Sequence, residues 1–188
     1  MSHPIAAWIL GPVGSGKSTC IAGLQGFAVV DQDADLERLL RLNGLPFDTR
    51  KYTASQAARV KELRQEASDR TWDMVPALRS SGQSIVFEST GDKPWLLAEE
   101  MSRNRDAGYV DIGFGLSTQL SDCLAQNRSR ARVLPDSVIE SSWQTFHQYL
   151  MARRYHSLFG EDRFLAFVPT ETPDLLAFMK HQLNRMSS

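Results

Sequence analysis

Cysteine is scarce in this chain, with only Cys20 and Cys123 among 188 residues. Neither sits in a pair spacing that holds a metal or runs redox chemistry, so a disulfide scaffold and a zinc module are both excluded, and free thiols of a reducing cytosol are the expectation. No charge of one sign dominates: 21 Lys and Arg stand against 22 Asp and Glu, for a formal net charge of −1. A global basic field that draws in nucleic acid is thereby absent, and any such contact has to come from a local patch. There is no apolar run near the length of a membrane span and no segment that reads as a signal peptide. Repeats, low-complexity tracts and an obvious linker are lacking as well. These absences point to one soluble domain over residues 1–188, with no membrane partner and a cytoplasmic location, the cytoplasm of an infected bacterial host included. The composition, 42% hydrophobic and 23% charged, is that of an ordinary globule.

Against this background one segment stands out. Gly11-Pro12-Val13-Gly14-Ser15-Gly16-Lys17-Ser18-Thr19 contains the whole G-x-x-x-x-G-K-[ST] pattern. Gly11, Gly14 and Gly16 let the backbone wrap tightly enough for successive N–H groups, that of Ser15 among them, to point at a phosphate. Lys17 reaches the β- and γ-phosphates of a nucleotide, and the Ser18 hydroxyl, with Thr19 beside it, is placed to ligate Mg²⁺. A following helix adds the positive end of its dipole. The apolar run Ile5–Leu10 before the loop reads as a buried strand, and the stretch after it reads as a helix. The pattern predicts binding of a nucleoside triphosphate, ATP, with Mg²⁺.

Apolar, β-rich runs alternate with helical stretches along the chain, which is the pattern of parallel strands joined by crossover helices. Strands are expected at Ile5–Leu10, Phe27–Val30, Ser84–Phe87, Tyr109–Leu116 and Phe164–Val168. Helices are expected at Ser15–Gln25, Ala34–Leu42, Ser55–Ser80, Pro94–Ala107, Thr118–Asn127, Asp136–Leu158 and Pro173–Arg185. The expected fold class is α/β, a three-layer P-loop NTPase fold of about five parallel strands with helices on both faces.

Ligands of open α/β sheets collect at the carboxyl ends of the strands. After the second strand comes Asp31-Gln32-Asp33-Ala34-Asp35, and after the third Glu88-Ser89-Thr90-Gly91. Phosphoryl transfer needs a group that takes the proton of an attacking hydroxyl, and the triple-aspartate cluster can supply it. Asp33 or Asp35 also suits a helix N-cap, so one acid is expected to cap and another to face the nucleotide. Glu88 is placed for metal-bound water or for substrate. No apolar run ends in a Walker B aspartate, which leaves Glu88 or Asp33 to do that work. Arg128, Arg130 and Arg132 fall at alternate positions between two helices, and an extended segment would put all three on one side of a lid over about 127–136. Guanidinium groups there suit the charge that develops on a transferring phosphoryl group. Arg41, Arg50, Lys51, Arg59 and Arg64 are candidates for contact with a nucleic-acid backbone, or form a solvated helix face. Trp72, Trp143, Phe146 and Tyr149 have spacings that suggest core.

Taken together, the phosphate loop, the acids after strand two, Glu-Ser-Thr-Gly and the lid from Asn127-Arg128-Ser129-Arg130 to Leu134-Pro135-Asp136-Ser137-Val138-Ile139 resemble the kinase half of phage polynucleotide kinase. The zeta-toxin-like kinases share the plan. The resemblance runs from Ile5 to about Val168. It implies Asp33 as general base, Glu88 as an organiser of the acceptor with Asp35 nearby, and Arg130, flanked by Arg128 and Arg132, on the triphosphate. One departure is plain: kinases acting on DNA ends carry an arginine three residues after the base, and this chain has Leu36 there. The phosphatase half of the bifunctional enzymes is also missing. The chain further resembles small phage kinases that phosphorylate 5-hydroxymethyluracil in DNA, which implies hydroxymethyl-pyrimidine DNA as the acceptor. A polynucleotide 5′-hydroxyl kinase, a small-molecule kinase for nucleosides or UDP-sugars, and an ATPase switch remain the alternatives, and the oligomeric state is open.

Overall fold

Six consecutive buried residues, Ile5–Leu10, form β1, because a strand that is covered on both faces has no polar side to alternate with. The computed structural model describes residues 3–168 and 175–186. The other strands are β2 (Ala28–Val30), β3 (Ile85–Ser89), β4 (Val110–Leu116) and β5 (Phe164–Phe167). They form one five-stranded sheet in the order β2-β3-β1-β4-β5, and every pairing is parallel. The expected five parallel strands are therefore the strands that form.

Side chains alternate across the strands and build two cores. Ala6, Trp8 and Leu10 pack with Leu97, Met101, Phe146, Tyr155 and Phe159 on one face. These come from α5 (Pro94–Asp106), α7 (Asp136–Met151) and α8 (Arg154–Phe159). On the other face, Ile5, Ala7 and Ile9 pack with Ile21 of α1 (Lys17–Ala22) and with Met179 and Leu183 of α9 (Leu175–Met186). The result is three layers, helix–sheet–helix. A separate cluster joins Leu36, Leu39 and Leu40 of α2 (Gln32–Leu42) to Val60, Leu63 and Ala67 of α3 (Ala54–Asp73).

Several local expectations need correction. The single helix expected over 55–80 is two, α3 and α4 (Val75–Ser81). Pro76 has no N–H to give to the carbonyl of Trp72, so the first helix ends and Pro76 opens the next. The single helix expected over 136–158 is also two. It breaks at Arg153, which adopts φ 54, a conformation non-glycine residues seldom take. Beyond the break, Tyr155 is fully buried and donates to the Gly91 carbonyl at 3.0 Å, a contact the uninterrupted helix would not provide. α1 is shorter than expected, because Gly23 ends it. The start of the helix expected from Pro173 lies outside the described residues.

Candidate active site

The connections leaving β1 and β3 run to opposite sides of the sheet, so the neighbouring ends of these two strands form the switch point where α/β sheets hold ligands. The glycine loop leaves β1 there, and Gly11 N–H still donates to the Ser89 carbonyl at 3.3 Å. Gly14 and Gly16 have φ of 80° and 89°, conformations in which a β-carbon strains the chain. A β-carbon at Gly14 would also lie 2.5 Å from the Cys123 carbonyl oxygen, so here only glycine lets α6 (Leu120–Ser129) approach. The Lys17 ammonium is 6% exposed and donates to the Gly11 and Pro12 carbonyls at 2.9 and 3.0 Å. The loop thus closes on its own lysine.

α7 and the connection between β4 and α6 support the loop. Val13 N–H donates to Ser142 Oγ at 3.1 Å. Thr118 Oγ1 donates to the Ser15 carbonyl at 3.1 Å, and Trp143 Nε1 donates to the Thr118 carbonyl at 2.8 Å. Neither Ser142 nor Thr118 was legible as a site residue, since each acts across more than a hundred residues of chain. The Ser15 hydroxyl, though buried, has no hydrogen-bond partner among the described residues.

Glu88 points from β3 to the same face as Val86, the face that α1 covers. Its carboxylate accepts from Ser18 Oγ at 3.2 Å and lies 3.8 Å from Lys17 Nζ. Glu88 thus stands on the strand beside the loop, in contact with the two loop side chains Ser18 and Lys17. Burial raises the Glu88 carboxyl above its ordinary range, against the pull of Lys17, and the charges of Asp31 and Asp33 push the same way as burial. Burial likewise lowers Lys17, while Glu88 and then Asp33 oppose it and Arg130 adds to it. Lys17, Glu88, Asp33 and Arg130 thus share one electrostatic centre.

The aspartates divide their work differently from the expectation. Asp31 is the N-cap of α2, its Oδ1 accepting from Asp33 N–H at 2.9 Å and Ala34 N–H at 3.1 Å. The helix starts two residues early, because Asp31 takes the extended backbone that a cap needs. Asp33 is then in the first turn, where Arg132 Nη2 meets its Oδ2 at 2.8 Å. Asp35 turns away and accepts from Arg38 Nη2 and Nε at 2.8 and 3.0 Å.

The three lid arginines do not lie on one side. Arg128 still belongs to α6 and meets Asp136 at 2.9 Å in solvent. Arg132 is 4% exposed, between Asp33 and Glu37, the latter at 3.9 Å. Arg130 makes no ion pair among the described residues, and its charge is among those that lower Lys17. The segment is braced rather than loose. Buried Asn127 donates to the Leu134 carbonyl and accepts from its N–H, at 2.9 and 3.1 Å. Thr49, in a 3₁₀ turn (Thr49–Lys51), donates through N–H and hydroxyl to the Val133 carbonyl. Only 130–135 is irregular, a shorter lid than 127–136. Leu36 is 1% exposed in the α2–α3 core, a place that has no room for an acceptor-binding arginine.

No protein-family model and no curated protein matches the chain. Solved structures do. A candidate kinase from Chloroflexus aurantiacus is 15% identical, over 98% of this chain and 99% of that one, with a TM-score of 0.66. The PezAT toxin–antitoxin system of Streptococcus pneumoniae is 14% identical over 99% and 86%, with a TM-score of 0.63. Deoxyadenosine kinase from M. mycoides, with bound dCTP, is 14% identical over 96% and 100%, with a TM-score of 0.54. At such identities the likeness is one of fold, and together with the sheet order and the glycine loop it establishes that this chain has the three-layer P-loop fold of the nucleotide kinases.

Proposed function

We propose that this chain is a Mg²⁺- and ATP-dependent kinase that transfers the γ-phosphoryl group to a hydroxyl of a nucleic-acid or nucleotide substrate. The observation that carries the reading is the convergence of Lys17, Ser18 and Glu88 at the mouth of the loop, with Asp33 held close by on the lid side by Arg132. An ATPase switch has no use for an acid kept on the acceptor side.

The residues suit Mg²⁺. Ser18 and Glu88 are hard oxygen donors, 3.2 Å apart, and no group of three or more His, Cys, Asp or Glu among the described residues forms a cage of its own. Such a site fits an ion that keeps its waters and takes phosphate oxygens as its other ligands. When bound, Mg²⁺ neutralises charge on the β- and γ-phosphate oxygens. The protein does the rest. The loop N–H groups and Lys17 cradle the phosphates, Lys17 exchanging its two loop carbonyls for phosphate oxygens. Asp33 takes the proton of the acceptor hydroxyl as its oxygen bonds to the γ-phosphorus and the bond to the β,γ-bridging oxygen breaks, releasing ADP. Arg130 supplies positive charge to the transferring group, and Arg132 orients Asp33.

The acceptor we favour is the 5-hydroxymethyl group of a modified pyrimidine, 5-hydroxymethyluracil, in phage DNA, with the bacterial cytoplasm as the setting. The likeness of Glu-Ser-Thr-Gly and the lid to small phage kinases supports this choice, and the burial of Leu36 counts against an end-gripping enzyme. In duplex DNA the base would leave the stack to reach Asp33, at a cost of a few kcal/mol. The test is γ-labelled ATP with Mg²⁺ and three acceptors: 5-hydroxymethyluracil DNA with blocked 5′ ends, unmodified 5′-hydroxyl DNA, and a mixture of nucleosides and UDP-sugars. Label on the first alone is the expected result. Label on the second or third replaces the acceptor, and free phosphate with no labelled acceptor overturns the kinase reading.

A further inference from the structure

Two peptide planes of the glycine loop are held by groups that lie outside it. A trans peptide is planar, so its carbonyl and its N–H point to opposite sides, and fixing one aims the other. In the Pro12–Val13 peptide the carbonyl accepts from Lys17 Nζ at 3.0 Å, and the N–H donates to Ser142 Oγ of α7 at 3.1 Å. In the Ser15–Gly16 peptide the carbonyl accepts from Thr118 Oγ1 at 3.1 Å. The Gly16 N–H is thereby turned away from Thr118, and it has no acceptor among the described residues. Gly16 brings no side chain and has φ 89°, so nothing in that residue fixes the peptide.

Both outer partners depend on α7. Ser142 belongs to it. Thr118, buried, gives its carbonyl to Trp143 Nε1 at 2.8 Å. His147, one turn further along, stacks on Trp143 with ring centroids 4.1 Å apart. Its Nδ1 lies 2.9 Å from the Trp143 carbonyl, which can only accept. In the neutral ring Nε2 therefore carries the lone pair and accepts from the Ser117 hydroxyl at 3.1 Å. Ser117 and Thr118 are thus tied to successive turns of one helix. That helix is itself fixed, because Ile139 and Phe146 are fully buried.

We infer that Ser142 and Thr118 are positioning residues of the nucleotide site, through which α7 fixes the peptide planes of the phosphate loop before a nucleotide arrives. Lys17 has to leave the Pro12 carbonyl when it takes phosphate oxygens. From then on Ser142 alone keeps that peptide from turning over. Thr118 does the same for the peptide whose Gly16 N–H is offered to the β-phosphate. A loop fixed in this way loses less conformational freedom on binding, so the two hydroxyls raise nucleotide affinity without touching the nucleotide. The role rests on the nucleotide-binding part of the kinase reading and on neither the transfer step nor the acceptor.

The test is calorimetric titration of a non-hydrolysable ATP analogue, with Mg²⁺, into the full chain and its variants. Ser142→Ala and Thr118→Val remove the two hydroxyls, and Ser142→Thr and Thr118→Ser keep them. Alanine is the better helix former, so Ser142→Ala leaves α7 intact. Each of the first pair is expected to raise the Kd about three- to tenfold, the worth of one hydrogen bond, and each of the second pair to stay within about twofold of wild type. In turnover assays KM for ATP should rise by the same factor with kcat within about twofold, because the lost support serves ground state and transition state alike. Tyr109→Phe is the control for stability alone. It removes a hydrogen bond to the Gln83 carbonyl at the amino ends of the strands, away from the loop, and should lower the Tm without moving the Kd. Unchanged Kd values in both Ser142→Ala and Thr118→Val, or an equal rise in Tyr109→Phe, overturn the proposal and leave the kinase reading standing. The expected rises with no transfer to any acceptor overturn the kinase reading and leave the proposal standing. An analogue that fails to bind the wild-type chain overturns both.

Discussion

Replacing Gly14 and Gly16 one at a time with alanine separates two costs that the loop imposes. Both have positive φ, 80° and 89°, so either alanine pays the left-handed penalty of about 1–2 kcal/mol. At Gly16 that is the whole cost, because the nearest atom to a new β-carbon is the flexible end of Gln126 at 3.9 Å. At Gly14 the new carbon meets the Cys123 carbonyl oxygen at 2.5 Å and its Cα at 3.1 Å. Those atoms are helix backbone and cannot swing aside, so overpacking adds about 1–3 kcal/mol. The expected losses are about 1–2 kcal/mol for Gly16→Ala and about 2–5 kcal/mol for Gly14→Ala. For a chain of this size they correspond to falls in Tm of about 2–8 °C and 4–20 °C. Urea unfolding read by far-ultraviolet circular dichroism, with calorimetry alongside, measures both. Equal losses at the two positions, or a smaller loss at Gly14, would refute the packing of α6 against the loop.

Asp33→Asn is expected to lower kcat by about 10²-fold or more while leaving KM for ATP near the wild-type value, because only proton removal from the acceptor is lost; steady-state kinetics with unchanged turnover would shift the base to another acid. Burial raises the Glu88 carboxyl, so the folded state holds that proton more tightly than the unfolded chain does. The stability it contributes is present below the unfolded value near 4.5 and is lost as pH rises through the raised folded value. Urea unfolding of the Mg²⁺-free protein should therefore show stability falling as pH rises through that range in wild type, a fall that Glu88→Gln should lack. The Cys123 thiol is pushed up to about 11 by burial. Iodoacetamide at pH 8 should therefore modify Cys20 well before Cys123, as read by peptide mass spectrometry, and equal labelling of the native protein would contradict the packing around α6.

Much of this protein is written in short stretches of chain. The strand–glycine loop–lysine unit from Ile5 to Thr19 needs only local geometry: an apolar run long enough for a buried strand, glycines where φ is positive, and a helix start behind the lysine. The five strands and their parallel sense follow from the alternation of strand and helix patterns, because a parallel pair demands a crossover. Asp31, Asp33 and Glu88 stood out because they follow strands, and strand ends are where such sheets place ligands. The break at Pro76 is local too, a missing N–H, yet the single helix expected over 55–80 ran through it.

What the local pattern left undecided is which of several chemically equal groups meets which partner. Asp31, Asp33 and Asp35 are one residue type at alternate positions, and only the extended backbone at Asp31 makes it the cap, leaving Asp33 to Arg132 and Asp35 to Arg38. The lid arginines look alike in sequence, yet Asn127 prolongs α6 past Arg128 and closes the turn on Leu134, and so sends them to three surroundings. Glu88 finds Ser18, seventy residues away in the chain, because the β1–β3 register aligns Ile9 with it. Arg153 adopts its strained backbone where a helix pattern ran on unbroken, since packing Tyr155 into the core outweighs the local preference. Sequence determines the elements through interactions that span one helical turn or one strand step. The partners within the site are chosen by packing between elements far apart in the chain, which exists only once the sheet and its helices have come together.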